Sequence, residues 1–345
     1  MKCVKEKVQR WAIEQLMKVG MPEEDADNTV YVLLTTDEMG IHSHGLKNLR
    51  GYIEKIRVGA LNPNPKIKVL AEGASFSVID ADHGMGMVGA ILGMNTAVRH
   101  AKQTGVGYCC VRNSTHFGAG GVYANIGAES GMFAMAMSNT DPNMAIPGGV
   151  GMVIGNNPFA YAYPKRDGTT VFLDIALSAT AALKINQAKK DHRSIPDTWL
   201  LDDQGNPTND PAWYGNGGAL QPLGMHKGYG LSVMVEALTA MMSNGYLCKD
   251  IPSWCFNLEE PNCVCHAFLA LDISQISSME NFLDKEEEYE KYIRTSRKKD
   301  DGTVILMPGE REWEHINREK PCVEIPKEVV DELIQLDPRF IEVCV

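Results

Sequence analysis

The sequence of 345 residues lacks any apolar run approaching the ~20 residues that a membrane-spanning helix requires. It also lacks an excess of positive charge, because 33 Lys and Arg face 44 Asp and Glu, and the formal net charge is −11 at pH 7. Such a chain repels phosphate backbones, so we expect neither a membrane nor nucleic acid as a partner. The segment Met1–Gly20 carries charges throughout and has no compact apolar centre, so it does not predict a secretory signal, and we expect a cytoplasmic protein.

The sequence also lacks metal ligands at a suitable spacing. Its nine cysteines are scattered, and free thiols are their expected state in a cytoplasmic protein. The cluster Cys263-Val264-Cys265-His266 supplies too few well-spaced ligands for a structural zinc site, so we expect no metal. A G-x-S-x-G nucleophile elbow is absent as well, which argues against a hydrolase of that kind.

What the sequence does have is a regular pattern of secondary structure. Apolar residues at helical spacing predict three helices within residues 1–70, the last over about Leu46–Val58. Beyond Leu61–Pro65, short apolar runs alternate with helical patterns, which indicates an α/β fold. The elements predicted there are strands at Ser75–Ile79, Val106–Val111 and Met132–Met137, and helices at Ala90–Lys102, Val122–Gly131, Leu231–Met242 and after Pro326.

The length of the chain favours two domains over one. We expect a small helical unit over residues 1–70, joined by C-terminal helices in residues 310–345. Residues 71–309 then form the α/β domain.

A glycine motif at Gly84–Gly89 matches the dinucleotide fingerprint G-x-G-x-x-G, between a predicted strand and a predicted helix. A Rossmann site also needs an acidic residue about 20 positions further on, and no Asp or Glu lies between Asp82 and Glu129. Arg112 could instead bind the 2′-phosphate of NADP, so the missing acid does not exclude that cofactor. We favour the interpretation that these glycines form a turn in which a helix packs close to a strand.

Three histidine segments lie at the ends of predicted elements and are bounded by glycine: Gly40–Gly45, Asn113–Gly118 and Pro222–Gly230. A single histidine is more often structural, but imidazole titrates near neutral pH and suits the proton transfer that accompanies oxidation of a secondary alcohol. Asp141 is a candidate for orienting such a histidine, and an ordinary Asp-Pro turn is an equal alternative. The helix start at Lys227 is a candidate anion site.

Short motifs run in order through nearly the whole chain, and they are specific only in combination. They are Ser43-His44-Gly45, Ser114-Thr115-His116-Phe117-Gly118, Gly155-Asn156-Asn157-Pro158, Leu173-Asp174-Ile175-Ala176, Gly217-Gly218-Ala219-Leu220, Lys227-Gly228-Tyr229-Gly230-Leu231 and Pro308-Gly309-Glu310. Together they resemble the malate/L-lactate dehydrogenase family, which also includes sulfolactate, ureidoglycolate and 2,3-diketogulonate oxidoreductases.

The resemblance implies an unusual, non-Rossmann nicotinamide-binding fold and a homodimer with its active site at or near the subunit interface. It implies hydride transfer between NAD or NADP and a small 2-hydroxy or 2-keto acid, carried out by residues 71–309 as the nicotinamide-binding and catalytic domain. His116 would be the acid/base residue, with His44 and Ser43 at the substrate. The expected cofactor residues are Asp174, Ile175, Ala176, Lys227, Pro308, Gly309, Glu310 and Arg311, to which we add Thr140.

The chain departs from the family pattern at two places. Relatives often have an arginine that grips the substrate carboxylate where this chain has Asn48, and Gly-Lys where it has Leu183-Lys184. Arg50 is a poor substitute, because two residues along a helix turn it onto another face. Either another cation, such as Lys47 or one from a partner subunit, holds the carboxylate, or the substrate depends less on this contact, which we favour slightly.

Other functions remain open from the sequence. Within the same fold, the protein could instead act as a ureidoglycolate or 2,3-diketogulonate oxidoreductase. A cyclic imine reductase is a further alternative in that fold. A non-catalytic small-molecule sensor is the alternative from a different class, and the presence of His44, His116 and Lys227 argues against it.

Overall fold

The computed structural model describes residues 1–254, 257–300 and 302–345. Its helices are α1 Lys5–Met17, α2 Glu23–Glu38, α3 Leu49–Arg57, α4 Gly86–Thr104, α5 Gly120–Glu129, α6 Ala182–Lys190, α7 His226–Glu236, α8 Ile273–Ile276, α9 Met279–Arg294, α10 Glu310–Glu319 and α11 Lys327–Leu336. Its strands are β1 Lys2–Val4, β2 Lys68–Glu72, β3 Phe76–Asp80, β4 Val106–Ser114, β5 Met132–Ser138, β6 Phe159–Pro164, β7 Thr170–Ile175, β8 Leu200–Leu201, β9 Pro207–Thr208, β10 Ala219–Leu220, β11 Val264–Asp272 and β12 Cys322–Glu324.

The centre of the fold is a mixed sheet of seven strands in the order β2-β3-β4-β11-β5-β6-β7. Strands β3 and β4 are parallel and are connected through α4, whereas every other neighbouring pair in this sheet is antiparallel. The predicted α/β class is therefore confirmed, and strand β11, from late in the chain, is inserted between β4 and β5.

The two faces of the sheet are covered by different elements. Successive side chains of a strand point to opposite faces, and along β5 Ala134 and Ala136 pack into the main core with α4 and α5. Met137 packs on the other face with Val235 of α7. The α7 helix therefore lies behind the sheet from α4 and α5, and its start marks the edge where the cofactor residues are predicted.

The N-terminal helices join the same main core, together with residues from the end of the chain. Strand β1 pairs antiparallel with β12, and the rings of Trp11 and Phe340 lie 4.5 Å apart between centroids. A smaller apolar cluster surrounds α6 and the sheet β10-β8-β9. The division at residue 70 stays a prediction. None of the helices in the described ranges combines the length and apolar character needed to cross a bilayer.

Within Gly84–Gly89, Gly86 is the glycine that lets α4 approach the segment after β4 closely, as the packing interpretation expects. Gly86 begins α4, and a Cβ atom there would lie 2.3 Å from the backbone oxygens of both Thr115 and His116. The Gly86 amide donates to Thr115 Oγ1 at 2.9 Å. The motif therefore fixes the segment that carries His116.

Candidate active site

His116 lies directly after β4 and is held from two sides. Gly86 fixes the backbone beside it, and the Tyr52 hydroxyl on α3 forms a hydrogen bond of 2.6 Å with His116 Nδ1. Tyr52 is fully buried, whereas His116 is half-buried. A rigid buried phenol therefore orients an imidazole that still reaches solvent.

The His116 ring is the middle layer of a stack of three aromatic rings. Its centroid lies 4.9 Å from that of Trp254, with an interplanar angle of 16°, and 5.6 Å from that of His44. Stacking limits rotation of both imidazoles. The structure therefore brings together the two histidines that the sequence singled out.

A short loop after α2 presents His44, and the buried Asp37 carboxylate organises this loop. Asp37 accepts hydrogen bonds from the Leu46 amide at 2.8 Å and pairs with His42 Nδ1 at 2.9 Å. The Ser43 hydroxyl forms a hydrogen bond of 2.8 Å with His44 Nδ1. Ser43 thus orients His44 much as Tyr52 orients His116.

The surroundings of both stacked imidazoles favour their neutral forms. Desolvation, reinforced by the neighbouring His44 and His266, lowers the pKa of His116 to about 3. Desolvation, and then the charge of Lys47, lowers the pKa of His44. Burial raises the pKa of Tyr52 well above its ordinary value, so the phenol keeps its proton. The site is therefore an uncharged pair of bases, and an anion bound nearby would stabilise their protonated forms.

Asp141 does not occupy the hydrogen-bonding position at His116 Nδ1. An imidazole nitrogen makes one in-plane hydrogen bond, and Nδ1 of His116 makes it with Tyr52. The Asp141 carboxyl instead accepts a hydrogen bond from Ser253, next to Trp254, and burial raises its pKa. The orienting and catalytic roles of Asp141 stay predictions.

The Asn48 side chain stabilises the loop that carries His44. Its Nδ2 donates to the backbone oxygens of Ser43 at 3.1 Å and Gly45 at 3.5 Å. Arg50 pairs with Glu54 at 2.9 Å, which agrees with the prediction that it turns onto another face. Lys47 is exposed, and its charge acts on His44.

The predicted cofactor residues at the end of β7 meet the start of α5. Asp174 Oδ2 accepts a hydrogen bond of 2.8 Å from the Gly121 amide, in the first turn of that helix. Burial raises the pKa of Asp174 to about 6. Ile175 and Ala176 are followed by Leu177, whose backbone oxygen accepts a hydrogen bond from the Leu223 amide, just before α7. The end of β7 is therefore joined to the start of α7.

Two further segments border this edge. Lys227 is exposed in the first turn of α7.

Pro308 accepts a hydrogen bond from the Phe172 amide of β7, and a Cβ on Gly309 would lie 2.5 Å from the Phe172 ring. Glu310 forms an ion pair with Arg294 and accepts from the Met307 amide, while Arg311 is exposed.

Thr140 is held by the Gly155–Pro158 motif. Its amide donates to Asn157 Oδ1 at 3.0 Å, and Asn157 Nδ2 donates to Glu236 of α7 at 3.2 Å. This motif therefore ties the end of β5 to α7. The cofactor roles of Thr140 and the other predicted residues stay predictions.

The polar groups along this edge suit a large polar ligand such as a nicotinamide dinucleotide. Two buried side-chain atoms, Asn143 Oδ1 and Thr180 Oγ1, have no hydrogen-bond partner. Asn143 follows Thr140 by three residues, and Thr180 follows Leu177 by three residues. Orphaned buried acceptors are costly unless a ligand or water pairs with them. The exposed cation of Lys227 at a helix N-terminus suits a phosphate.

The remaining histidines and cysteines do not form a metal cluster in the described ranges, where no group of three or more His, Cys, Asp or Glu side chains is arranged to hold an ion. His266 forms hydrogen bonds with the Ser138 hydroxyl through Nδ1 at 2.9 Å and with the Ser114 hydroxyl through Nε2 at 2.8 Å. Cys263 lies 3.6 Å from His83 Nδ1. That the protein works without a metal stays a prediction.

Sequence reasoning missed three residues of this site: Tyr52, Trp254 and Asp37. Tyr52 lies on the apolar face of α3 with Leu49 and Ile53, where it looks like an ordinary core residue. One signal was available, since a tyrosine buried on a helix needs a partner for its hydroxyl. Nothing local in the sequence marks Trp254 or Asp37.

The seven-stranded mixed sheet defines an α/β protein, and the stacked histidines of its site place two bases side by side. The chain belongs to the malate/L-lactate dehydrogenase family, whose pattern it matches over residues 4–334. The resemblance inferred from the motifs is thereby confirmed.

Three relatives show the range of the family. The chain is 35% identical to a malate dehydrogenase of Pyrococcus horikoshii, over 97% of this chain and 94% of the relative. It is 34% identical to an L-sulfolactate dehydrogenase of Methanocaldococcus jannaschii, over 94% and 93%. It is 32% identical to an NADP(+)-named (2R)-3-sulfolactate dehydrogenase of Chromohalobacter salexigens, over 93% and 94%. Solved structures of the first two proteins align with TM-scores of 0.89 and 0.91, covering 99% of this chain and 95% and 97% of theirs.

Proposed function

We propose that the protein is a nicotinamide-dependent dehydrogenase or reductase that interconverts a small 2-hydroxy acid and its 2-keto acid. The observation that carries the proposal is the stacked pair of neutral histidines, each oriented by a hydroxyl group, in a member of a dehydrogenase family. The names of the relatives support an acid of the malate or sulfolactate kind as the substrate class.

His116 moves the proton in this proposal. With its Nδ1–H donating to the Tyr52 oxygen, His116 keeps Nε2 free as a base for the substrate hydroxyl. The imidazolium formed is unstable in this desolvated site, so it gives the proton back readily to a keto oxygen. A substrate carboxylate brings a negative charge close to the ring and raises the pKa of His116 toward the working pH. Substrate binding therefore tunes the base.

Replacing Tyr52 by Phe should lower kcat by about 2- to 10-fold, the equivalent of one neutral hydrogen bond of roughly 0.5–1.5 kcal/mol. The phenyl ring keeps the packing against Trp254 and removes only the hydroxyl that selects the His116 tautomer. Steady-state kinetics across pH would measure the effect and show a shifted pH profile. An unchanged kcat with an unchanged profile would mean that Tyr52 only fills space.

The nicotinamide ring, when bound, accepts the hydride in one direction and supplies it in the other. Asp174, Ile175, Ala176 and Lys227 would hold the dinucleotide along the edge where β7 meets α5 and α7, with Thr140 and Pro308–Arg311 beside it. We leave NAD and NADP as equal candidates. A thermal-shift series with NADH, NADPH and NAD tests this step, because a ligand that binds the folded state raises the midpoint. No shift with any of them would contradict nicotinamide dependence.

We propose that Lys47 supplies the positive charge for the substrate carboxylate. Asn48 uses its amide on the loop backbone, and Arg50 is turned toward Glu54. Lys47 follows His44 by three residues, is exposed, and acts electrostatically on that ring. Of the two alternatives left open by the sequence, these contacts favour a replacement cation.

Substitution of Lys47 by Met should lower kcat/KM for a 2-keto acid about 10-fold, the lower end of the range for a charge-assisted hydrogen bond, because the site is exposed. The loss should appear mainly in KM and shrink at high salt. Arg50→Met is the matched control, since it removes an exposed cation on the opposite side, and it should leave kcat/KM unchanged. Equal effects of the two substitutions would remove Lys47 from the site.

We also propose a homodimer, which the family resemblance implies and the distribution of exposed apolar side chains supports. The apolar faces of the N-terminal helices are packed into the main core. Exposed apolar side chains are instead concentrated on α7 and on the residues that flank it on both sides, namely Met225, Leu231, Val233, Met234, Met241 and Met242. A patch of this kind marks an interface, and here it flanks Lys227.

Sedimentation should therefore give twice the 38.0 kDa mass of the chain. Changing Met241 and Met242 together to Glu should release monomers, because each buried carboxylate would be desolvated without a partner. The same double change on the exposed tyrosines Tyr289 and Tyr292 of α9 is the control and should leave the mass unchanged. A wild-type monomer with full turnover would contradict a site built at an interface.

A further inference from the structure

The two ends of the chain meet beside β1. Cys3 pairs with Val323 of β12 on one side, and on its other side it forms an antiparallel bridge with Cys344. The Val345 amide donates to the Lys2 oxygen at 2.9 Å, which fixes the register of this second pairing. Two cysteines that are 341 positions apart in sequence are thus direct neighbours across strands.

The backbone geometry of this pair suits a disulfide bond. The backbone N–H and C=O groups of Met1 and Ile325 form hydrogen bonds with each other. Because the hydrogen-bonding direction repeats every two residues along a strand, the backbone groups of Cys3 also point toward β12. Cys3 and Cys344 are therefore a pair without mutual backbone hydrogen bonds, in which Cα atoms lie about 4.5 Å apart and side chains are closest. Disulfides span Cα separations of roughly 4.4–6.8 Å.

We propose that Cys3 and Cys344 are a redox-responsive thiol pair, which a low-molecular-weight disulfide such as oxidised glutathione converts into an intramolecular bond joining the two ends of the chain. The half-buried Cys344 thiolate attacks a glutathione sulfur and releases one glutathione. The Cys3 thiolate then attacks Cys344 Sγ and releases the second. Two S–H bonds are lost and one S–S bond forms, and the two electrons and two protons end on the two glutathiones.

Because Cys3 is buried and Cys344 is only half-buried, Cys344 is the thiol that reacts first. Burial and the adjacent Cys344 raise the pKa of the Cys3 thiol, which slows its reaction until Cys344 has been oxidised. Cys322 lies nearby on β12 but pairs with Val4, which points to the face opposite Cys3. The geometry therefore selects Cys344 as the partner of Cys3 and leaves Cys322 as a natural control.

The bond would close a loop of nearly the whole chain, and long loops gain most from cross-linking because the unfolded chain loses most freedom. The midpoint of thermal unfolding should accordingly rise by about 5 °C or more on oxidation and return with dithiothreitol. The Cys344→Ser variant should show no rise, and the Cys322→Ser variant should show the same rise as the unmodified sequence.

The experiment treats the folded full-length protein with oxidised glutathione, counts the remaining thiols and maps disulfide-linked peptides by mass. The expected result is the loss of two of nine thiols and a peptide linking Cys3 to Cys344, retained in Cys322→Ser and absent from Cys3→Ser. Nine remaining thiols, a glutathione retained on Cys344, or a bond between Cys344 and Cys322 would each overturn the proposal. Mapping needs no substrate, so its outcome is independent of the dehydrogenase activity.

Discussion

The His116→Gln variant should turn over about 10²- to 10⁴-fold more slowly than the unmodified protein, which is the usual contribution of a general acid/base group. Glutamine has a similar length and can keep the hydrogen bond to Tyr52, but it cannot take and return a proton. Nicotinamide affinity should change little, because the predicted cofactor residues lie at the edge formed by β7, α5 and α7. Single-turnover kinetics and a thermal-shift titration measure the two quantities separately.

The His100→Gln variant is the matched control for a buried histidine. His100 lies on α4, where its ring bonds the Ser77 hydroxyl at 2.8 Å and the Ala74 oxygen at 3.1 Å, away from the stacked rings. This variant should lose stability and keep its turnover. If His116→Gln retained near-normal turnover, the proton transfer would belong to another group, and His44 would be tested next.

Replacement of Gly86 by Ala is expected to damage both stability and turnover. The new Cβ would lie 2.3 Å from the backbone oxygens of Thr115 and His116, so the segment carrying the base must move. Overpacking of this kind costs about 1–3 kcal/mol of unfolding free energy. A displacement of about 1 Å at a reacting group costs about 10²-fold in rate. Denaturant unfolding and kcat measure the two effects.

Gly89→Ala separates a packing role from a nucleotide-binding role of the same motif. Its Cβ would meet the nearest atoms at 3.5 Å or more, an ordinary contact, and alanine favours a helix over glycine by about 1 kcal/mol. We expect equal or greater stability and unchanged nicotinamide affinity. A large loss of affinity in Gly89→Ala without loss of stability would revive the Rossmann interpretation of Gly84–Gly89.

The elements with strong periodicity were predictable from the sequence. The helices α3, α4 and α5 and the strands β3, β4 and β5 lie within a few residues of their predicted bounds. The position of β11 between β4 and β5 was not predictable, because the periodicity of a strand does not identify its neighbours. Three acids of α9, Glu280, Asp284 and Glu287, pair with Arg166, and no local pattern in the sequence identifies that partner.

The site was predictable where chemistry is local and not where it depends on tertiary contacts. His44 and His116 are marked by flanking glycines at element ends, and the structure stacks them. Tyr52 reaches His116 across 64 positions of sequence, and no local pattern encodes that contact. Asp141 was proposed because carboxylates commonly orient histidines, whereas the hydroxyl that bonds His116 Nδ1 belongs to Tyr52, which no local pattern marked.

The most direct test of the central claim is the absorbance of the reduced nicotinamide, followed while the protein acts on a panel of 2-keto acids. The panel should contain the keto forms of malate, lactate and sulfolactate, together with a cyclic imine and a 2,3-diketo acid. The proposed function predicts loss of absorbance with NADH or NADPH for at least one 2-keto acid, and a much slower loss in His116→Gln. Binding of nicotinamide without turnover of any compound in the panel would contradict it and favour a small-molecule sensor.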